Sequence, residues 1–138
     1  MPICFLEVPT GINPDAKKKL VQKITTALNE TWPIPDVRVF FREYQAENVA
    51  QDGDFRSDPI KPICFLNVPL LRSLDAKRKL TQALQAAFVE AYKDIADSSQ
   101  FMVFYNLYPL ENASIGGHLQ SDIPEAVELM RQLNGTGE

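Results

Sequence analysis

The chain has 138 residues, 45% hydrophobic and 23% charged, enough to bury one core without a second domain. Its formal net charge of −4, with no basic stripe, argues against a nucleic-acid partner. No apolar run reaches the ~18 residues that a bilayer crossing needs, and no charged-then-apolar leader opens the chain, so the expectation is a cytoplasmic protein without membrane association.

Residues 2–9 read Pro-Ile-Cys-Phe-Leu-Glu-Val-Pro, and from Ile3 to Val8 both alternating faces are apolar, the pattern of a short strand covered on both sides. Asn13-Pro14-Asp15 supplies a capping side chain and a first-turn proline for a helix. That helix carries Leu20, Ile24, Ala27 and Leu28 on one stripe with lysines opposite, and it must end before Pro33-Ile34-Pro35. Val37 to Tyr44 reads as a second strand. From Glu47 to Lys61 the chain is polar and includes Gly53, Asp58 and Pro59, a linker or short hairpin. A strand at Ile63–Val68, a helix over about 74–92 carrying Leu80, Leu84, Ala87 and Phe88, and a strand at Phe101–Tyr108 then repeat the plan. At the end, Asp122 and Pro124 can start a helix carrying Val127, Met130 and Leu133, which Asn134-Gly135 can close. This tail helix has no counterpart earlier in the chain and is free to lap over a neighbouring subunit.

The recurrence is literal. Residues 62–69 read Pro-Ile-Cys-Phe-Leu-Asn-Val-Pro, an offset of 60 from residue 2. Asp15-Ala16-Lys17 returns as Asp75-Ala76-Lys77, and Trp32 is answered by Tyr92. After an insertion of four residues, Val39-Phe40, Tyr44, Glu47-Asn48 and Gly53 match Val103-Phe104, Tyr108, Glu111-Asn112 and Gly117 at an offset of 64. Collinear matches with a single insertion indicate a fused tandem duplication: one domain over 1–138, with repeat 1 at 2–60, repeat 2 at 62–117 and a C-terminal helix within 118–138.

Each strand–helix–strand unit should pair its strands in parallel through a right-handed crossover. The fold class is therefore α/β (an α+β sandwich), with two tandem βαβ units forming a four-stranded sheet, two helices on one face and a short C-terminal helix. The opposite face keeps apolar residues, so another subunit should cover it. Cys4 and Cys64 occupy equivalent positions inside apolar strands and read as buried core thiols. His118 is the sole histidine, so no zinc constellation is expected, and no metal site is assigned.

The two repeat-opening prolines differ chemically. If Met1 is removed, Pro2 becomes a secondary amine with a basic lone pair. Pro62 follows Lys61, so its nitrogen is a tertiary amide and cannot act as a base.

A proline directly after the initiator methionine, a βαβ unit of about sixty residues and its duplication together resemble the tautomerase superfamily, specifically a fused form of 4-oxalocrotonate tautomerase. The likeness spans residues 2–117 and is carried by Pro2-Ile3, Val37-Arg38-Val39 and Ile115-Gly116-Gly117. It implies a cofactor-free isomerase in which the N-terminal proline is general base or acid and two arginines bind the carboxylates of a 2-oxo acid. At the pre-helix arginine position this chain has Ile12 in repeat 1 and Arg72 in repeat 2. At the strand position it has Arg38 in repeat 1 and Met102 in repeat 2. Pro2, Arg38 and Arg72 are the catalytic candidates, each function surviving once, and they could meet within one chain or across subunits.

A base for this chemistry needs a pKa near working pH, and an apolar pocket lowers that of a terminal amine. Phe5, Phe40 and Leu6 are candidates for the apolar wall. Arg42 lies on the same strand face as Arg38 and could replace it in substrate binding, while Arg38 could instead pair with Glu43 or Asp36. The resemblance also has gaps. The aromatic residue expected shortly before the closing glycines is absent, Val49 and Ala113 standing near there. The histidine and late glutamate of the branch resembling cis-3-chloroacrylic acid dehalogenase are replaced by Leu28 and Ile115, which argues against dehalogenation. Asp36 sits where the branch resembling malonate semialdehyde decarboxylase has an aspartate, though it equally suits a turn after Pro35.

Three functions are consistent with these residues. The first is a keto–enol tautomerase of a small 2-oxo acid or enol. The second is a hydratase, decarboxylase or dehalogenase of a small three-carbon acid on the same fold. The third is a non-enzymatic trimeric binding or cytokine-like protein, resembling macrophage migration inhibitory factor. Repeat number and resemblance together predict a homotrimer with pseudo-sixfold character.

Overall fold

The computed structural model describes residues 1–55 and 59–135. Asp58, assigned to the linker from sequence, lies outside the described residues. Around it, a short helical turn at Ala46–Asn48 and an isolated bridge between Gln51 and Asp54 break up the polar stretch.

Strand β1 (Ile3–Pro9) leads into helix α1 (Pro14–Thr31), which returns the chain to β2 (Arg38–Tyr44). The second unit runs through β3 (Ile63–Pro69), α2 (Leu74–Tyr92) and β4 (Met102–Tyr108). Both helices start where a side chain satisfies otherwise unpaired amides. Asn13 Oδ1 accepts from Asp15 N at 2.8 Å, and Ser73 Oγ accepts from Ala76 N at 3.1 Å.

The four strands form one sheet in the order β2-β1-β3-β4. As predicted, β1 pairs with β2 in parallel and β3 with β4 in parallel. The two units join through an antiparallel β1–β3 pair with Phe5 opposite Phe65 and Ile3 opposite Asn67.

Alternation decides which side of the sheet is dry. Cys4, Leu6, Val8, Cys64, Leu66 and Val68 point to the helices and are buried there. They meet Leu20, Ile24 and Leu28 of α1 and Leu80, Leu84 and Phe88 of α2. Cys4 and Cys64 lie in this core as free thiols, their sulfurs 3.5 Å apart. Leu6 therefore belongs to the core at 1% exposure and cannot form the wall of a site on the other face. That other face carries Ile3, Phe5, Phe40, Phe65, Met102 and Phe104, with Phe5 stacked on Phe40 and Phe65 on Phe104. Phe40, Met102 and Phe104 are 46%, 50% and 42% exposed, an apolar surface that water covers poorly.

Two features differ from the sequence expectation. A two-stranded hairpin, β5 (Ser114–Ile115) and β6 (His118–Leu119), turns through Gly116 and Gly117 at φ 58° and 85°. Positive φ at both central residues is what a tight hairpin demands and what glycine adopts without strain. The tail helix, α3 (Pro124–Asn134), packs on its own chain instead of reaching outward. It buries Ala126 and Leu129, with Met130 and Leu133 partly covered, whereas Val127 is 45% exposed. The inward stripe thus lies one residue before the predicted start. Its C-terminal residue fastens it: Asn134 Nδ2 donates to the Leu70 carbonyl at 2.9 Å, and Asn134 Oδ1 accepts from Arg72 N at 2.9 Å. Among the described residues no helix is long and apolar enough to cross a membrane.

Tyr92 Oη is buried without a hydrogen-bond partner among the described residues, and burial raises its pKa. An unsatisfied buried hydroxyl costs about 1–3 kcal/mol. Tyr92→Phe should therefore raise Tm by roughly 3 °C per kcal/mol recovered, measured by calorimetry. An unchanged or lower Tm would mean that the hydroxyl is satisfied in solution.

Candidate active site

The antiparallel β1–β3 junction brings the start of the first unit beside the end of the second. There, a cavity of about 380 Å³ opens at Met1. Ile3, Asp36 and Arg38 line it from the first unit. The second unit contributes Asn67, Asn106 and Tyr108, together with Ile115 of the hairpin and Gln120 behind it. The wall is thus built from both units and mixes polar and apolar side chains.

The terminal amine of Met1 lies in this cavity. Its nitrogen is 3.5 Å from Tyr108 Oη, and Tyr108 Oη donates to Gln120 Oε1 at 2.8 Å. Burial lowers the amine pKa from 8.0 to about 6, while the Asp36 carboxylate pulls it back upward. Burial also raises the Tyr108 phenol pKa, so at neutral pH it remains a hydrogen-bond donor.

Arg38 opens β2 opposite Ile3. Its guanidinium grips Asp36 in a fork, Nε to Oδ1 and Nη2 to Oδ2, both at 2.9 Å. The fork lowers the Asp36 pKa, chiefly through its hydrogen bonds, and raises that of Arg38. The pair is therefore ionised at neutral pH. Asp36 adopts φ 80°, a left-handed conformation uncommon for a residue with a side chain. Asp36 stands in the turn after Pro35 and also lines the cavity.

The remaining candidates do not line this cavity, although Pro2 is hydrogen-bonded to Arg38 beside it. Pro2 is buried behind Met1, and its carbonyl accepts from Arg38 N at 3.2 Å. Pro62 is buried in the same way, with its carbonyl 3.3 Å from Met102 N. Phe40 and Arg42 do not line the cavity at Met1. Phe40 stacks on Phe5 along the open face, while Arg42 lies over the Phe5 ring and pairs with Glu7 at 3.3 Å. Arg42 is thereby committed to Glu7, and Glu43 pairs with Lys17, leaving Asp36 as the partner of Arg38. Arg72 follows β3 and also stands outside the cavity. Its Nη1 donates to the Asn134 carbonyl at 3.5 Å. Pro2, Arg38 and Asp36 are brought together; Arg72, Arg42 and Phe40 are not.

Sequence reasoning missed Tyr108, Gln120 and the Asn67–Asn106 pair, whose amides are hydrogen-bonded at 2.9 Å. A signal existed for some of them. Tyr108 aligns with Tyr44 and Asn67 with Glu7 in the repeat, and Tyr44 Oη donates to Glu7 Oε1 at 2.6 Å at the opposite end of the sheet. Gln120 had no such signal, because it lies beyond the repeats. Among the described residues, no cluster of three or more His, Cys, Asp or Glu could hold a metal ion.

The fold matches solved structures of fused 4-OT. Native fused 4-OT superposes with a TM-score of 0.76 at 21% identity, covering 88% of this chain and 98% of that one. An asymmetric trimer of wild-type fused 4-OT gives 0.73 at 21% identity over the same shares. Pt0534 inactivated by 2-oxo-3-pentynoate gives 0.70 at 21% identity, with 88% and 98% covered. Macrophage migration inhibitory factor from Toxoplasma gondii gives 0.64 at 15% identity, with 85% and 98% covered. No protein-family model and no curated protein matches the chain. The chain shares the fold of these fused 4-OT structures.

The lowered amine pKa has a stability consequence in protein that retains Met1. Between pH 6 and 8 the unfolded chain binds more protons at this group than the folded chain, so folding stability rises with pH across that window. Denaturant midpoints should show this gain for the free amine and lose it after N-terminal acetylation. Equal pH slopes for the two forms would contradict the buried amine.

Proposed function

We propose that this chain is a cofactor-independent tautomerase that interconverts enol and keto forms of a 2-oxo acid. Removal of Met1 makes the Pro2 nitrogen the base. The observation that carries this reading is the cavity at the start of β1, which Arg38 lines and where the Met1 terminal amine has its pKa lowered by burial. The fused 4-OT fold supports it.

In the forward direction the Pro2 lone pair takes the enol hydroxyl proton. The O–H electron pair becomes the new C=O bond, and the C=C pair takes the proton back from Pro2 at carbon. Arg38 faces the carboxylate and the oxygen on which charge develops, and such fixed donors act most strongly where water is excluded. Asp36 orients Arg38 through both carboxylate oxygens. Arg72 would serve the substrate carboxylate of a neighbouring subunit, since it lies outside the cavity of its own chain.

Asp36 also favours a second reading. A carboxylate held ionised on the cavity wall could orient water for hydration, or direct decarboxylation, of a small acid. Asp36→Asn separates the two: it should abolish hydration but only weaken enol turnover. If trimeric protein turns over no enol or small acid, a binding role replaces both.

Pro2→Ala should cut turnover of phenylenolpyruvate at least a hundredfold, while Pro62→Ala should leave it within about threefold, because an amide nitrogen offers no lone pair. The kcat/KM of the Met1-free enzyme should rise with pH and level off below the ordinary terminal-amine value of about 8. 2-Oxo-3-pentynoate should add covalently to Pro2 by intact mass and peptide mapping, and fail to do so when Met1 is retained. Equal loss from the two proline variants, in folded protein, would end the proposal.

The exposed Phe40, Met102 and Phe104 surface supports a homotrimer, as do the fused 4-OT trimers. Light scattering should give three times the 15.5 kDa chain mass. Phe104→Asp should shift the particle toward the single-chain mass. A wild-type monomer at micromolar concentration would contradict the assembly.

A further inference from the structure

Met1 lines a second cavity as well. This one measures about 840 Å³ and lies between the turn at 33–35 and helix α3. Its walls are apolar: Ile34 and Pro35 on one side, Ile123, Ala126 and Leu129 on the other. Glu125, Glu128 and Gln132 stand at its rim. Arg131 and Gln132 hydrogen-bond to the Glu128 carboxylate and keep its pKa low, so it is ionised and paired with Arg131 at neutral pH.

The two cavities have complementary chemistry on either side of one residue. The smaller holds the amine, Arg38, Tyr108 and Gln120. The larger offers mainly hydrocarbon and no lysine or arginine among its described lining residues. We propose that they are head and tail compartments of one ligand site, separated by Met1, and that the ligand is a monocarboxylic enol or 2-oxo acid bearing an apolar aryl or alkyl tail. The head assignment rests on the tautomerase reading; the tail assignment rests on the groove itself. Removing Met1 then does two things at once: it frees the Pro2 nitrogen and joins the compartments. A carboxylate or enol head sits at Arg38, and the tail runs over Ile34 toward Leu129. A second carboxylate at the tail end would lie among Ile34, Ile123 and Leu129 with no lysine or arginine among the described residues lining the groove, so dicarboxylates are disfavoured. The groove also accounts for a use of α3, which has no counterpart in the first unit: it supplies the outer wall of the tail compartment beside the one proline that can become an amine.

The test uses inert probes, so it does not depend on turnover. trans-Cinnamate has a carboxylate head and a phenyl tail; acrylate lacks the tail, and fumarate replaces it with a second carboxylate. In Met1-free protein, cinnamate should bind at least tenfold more tightly than either, and should shift the methyl resonances of Ile34, Ile123 and Leu129. Ile34→Trp or, as a second block at an exposed rim position, Gln132→Trp should weaken cinnamate at least tenfold and leave acrylate unchanged. Protein retaining Met1 should lose the preference for cinnamate. Equal binding of the three probes to Met1-free protein overturns the tail compartment, as does cinnamate affinity indifferent to both tryptophan variants. Cinnamate binding equally to both N-terminal forms overturns the partition by Met1. If Pro2→Ala retains full enol turnover while these binding results hold, the tautomerase reading fails and the ligand site stands.

Discussion

The cavity at Met1 depends on the antiparallel pairing of β1 with β3 about Phe5 and Phe65. Parallel strands within each unit place the start of one strand beside the start of the next. The antiparallel join alone sets the start of one unit against the end of the other. It puts Met1 within 3.5 Å of Tyr108, a partner 107 residues away in sequence. A cavity lined by both units follows, with the chain terminus in it.

The same junction creates two related ends, and the chain has made them chemically different. At the end where β1 starts, Asn67 and Asn106 pair as neutral amides, Arg38 opens β2, and α3 adds a wall. At the opposite end the corresponding positions carry the Glu7–Arg42 ion pair, with Tyr44 donating to Glu7. Met102 replaces Arg38 there, and Lys61 makes the Pro62 nitrogen an amide. Both ends hold an arginine–carboxylate pair, Arg38 with Asp36 at one and Arg42 with Glu7 at the other, and neutral amides stand at the first.

The elements themselves were readable because their signals are local. Proline and asparagine mark the start of α1, the stripe Leu20, Ile24, Leu28 has helical period, and the literal return of Ile-Cys-Phe-Leu identifies β3. The errors came where the partner, not the segment, decides. Leu6 alternates with Phe5, and nothing within the strand says which face meets the helices. In α3 either Val127 or Ala126 could begin the inward stripe. Asn134 settles the helix's seat by binding Leu70 and Arg72, residues far away in the chain.

Sequence alone determined the two βαβ units, their strand directions and the literal return of β1 in β3. These follow from covalent structure and from short-range periodicity. Only tertiary structure decided that Asp36 and Tyr108 share a cavity with the terminal amine, that Arg42 is spent on Glu7, that Arg72 lies outside, and that α3 faces its own chain. Those outcomes depend on strand register and side-chain burial across distant segments. Burial also alters protonation, which is why a terminal amine ordinary in sequence has a pKa near 6 in the fold.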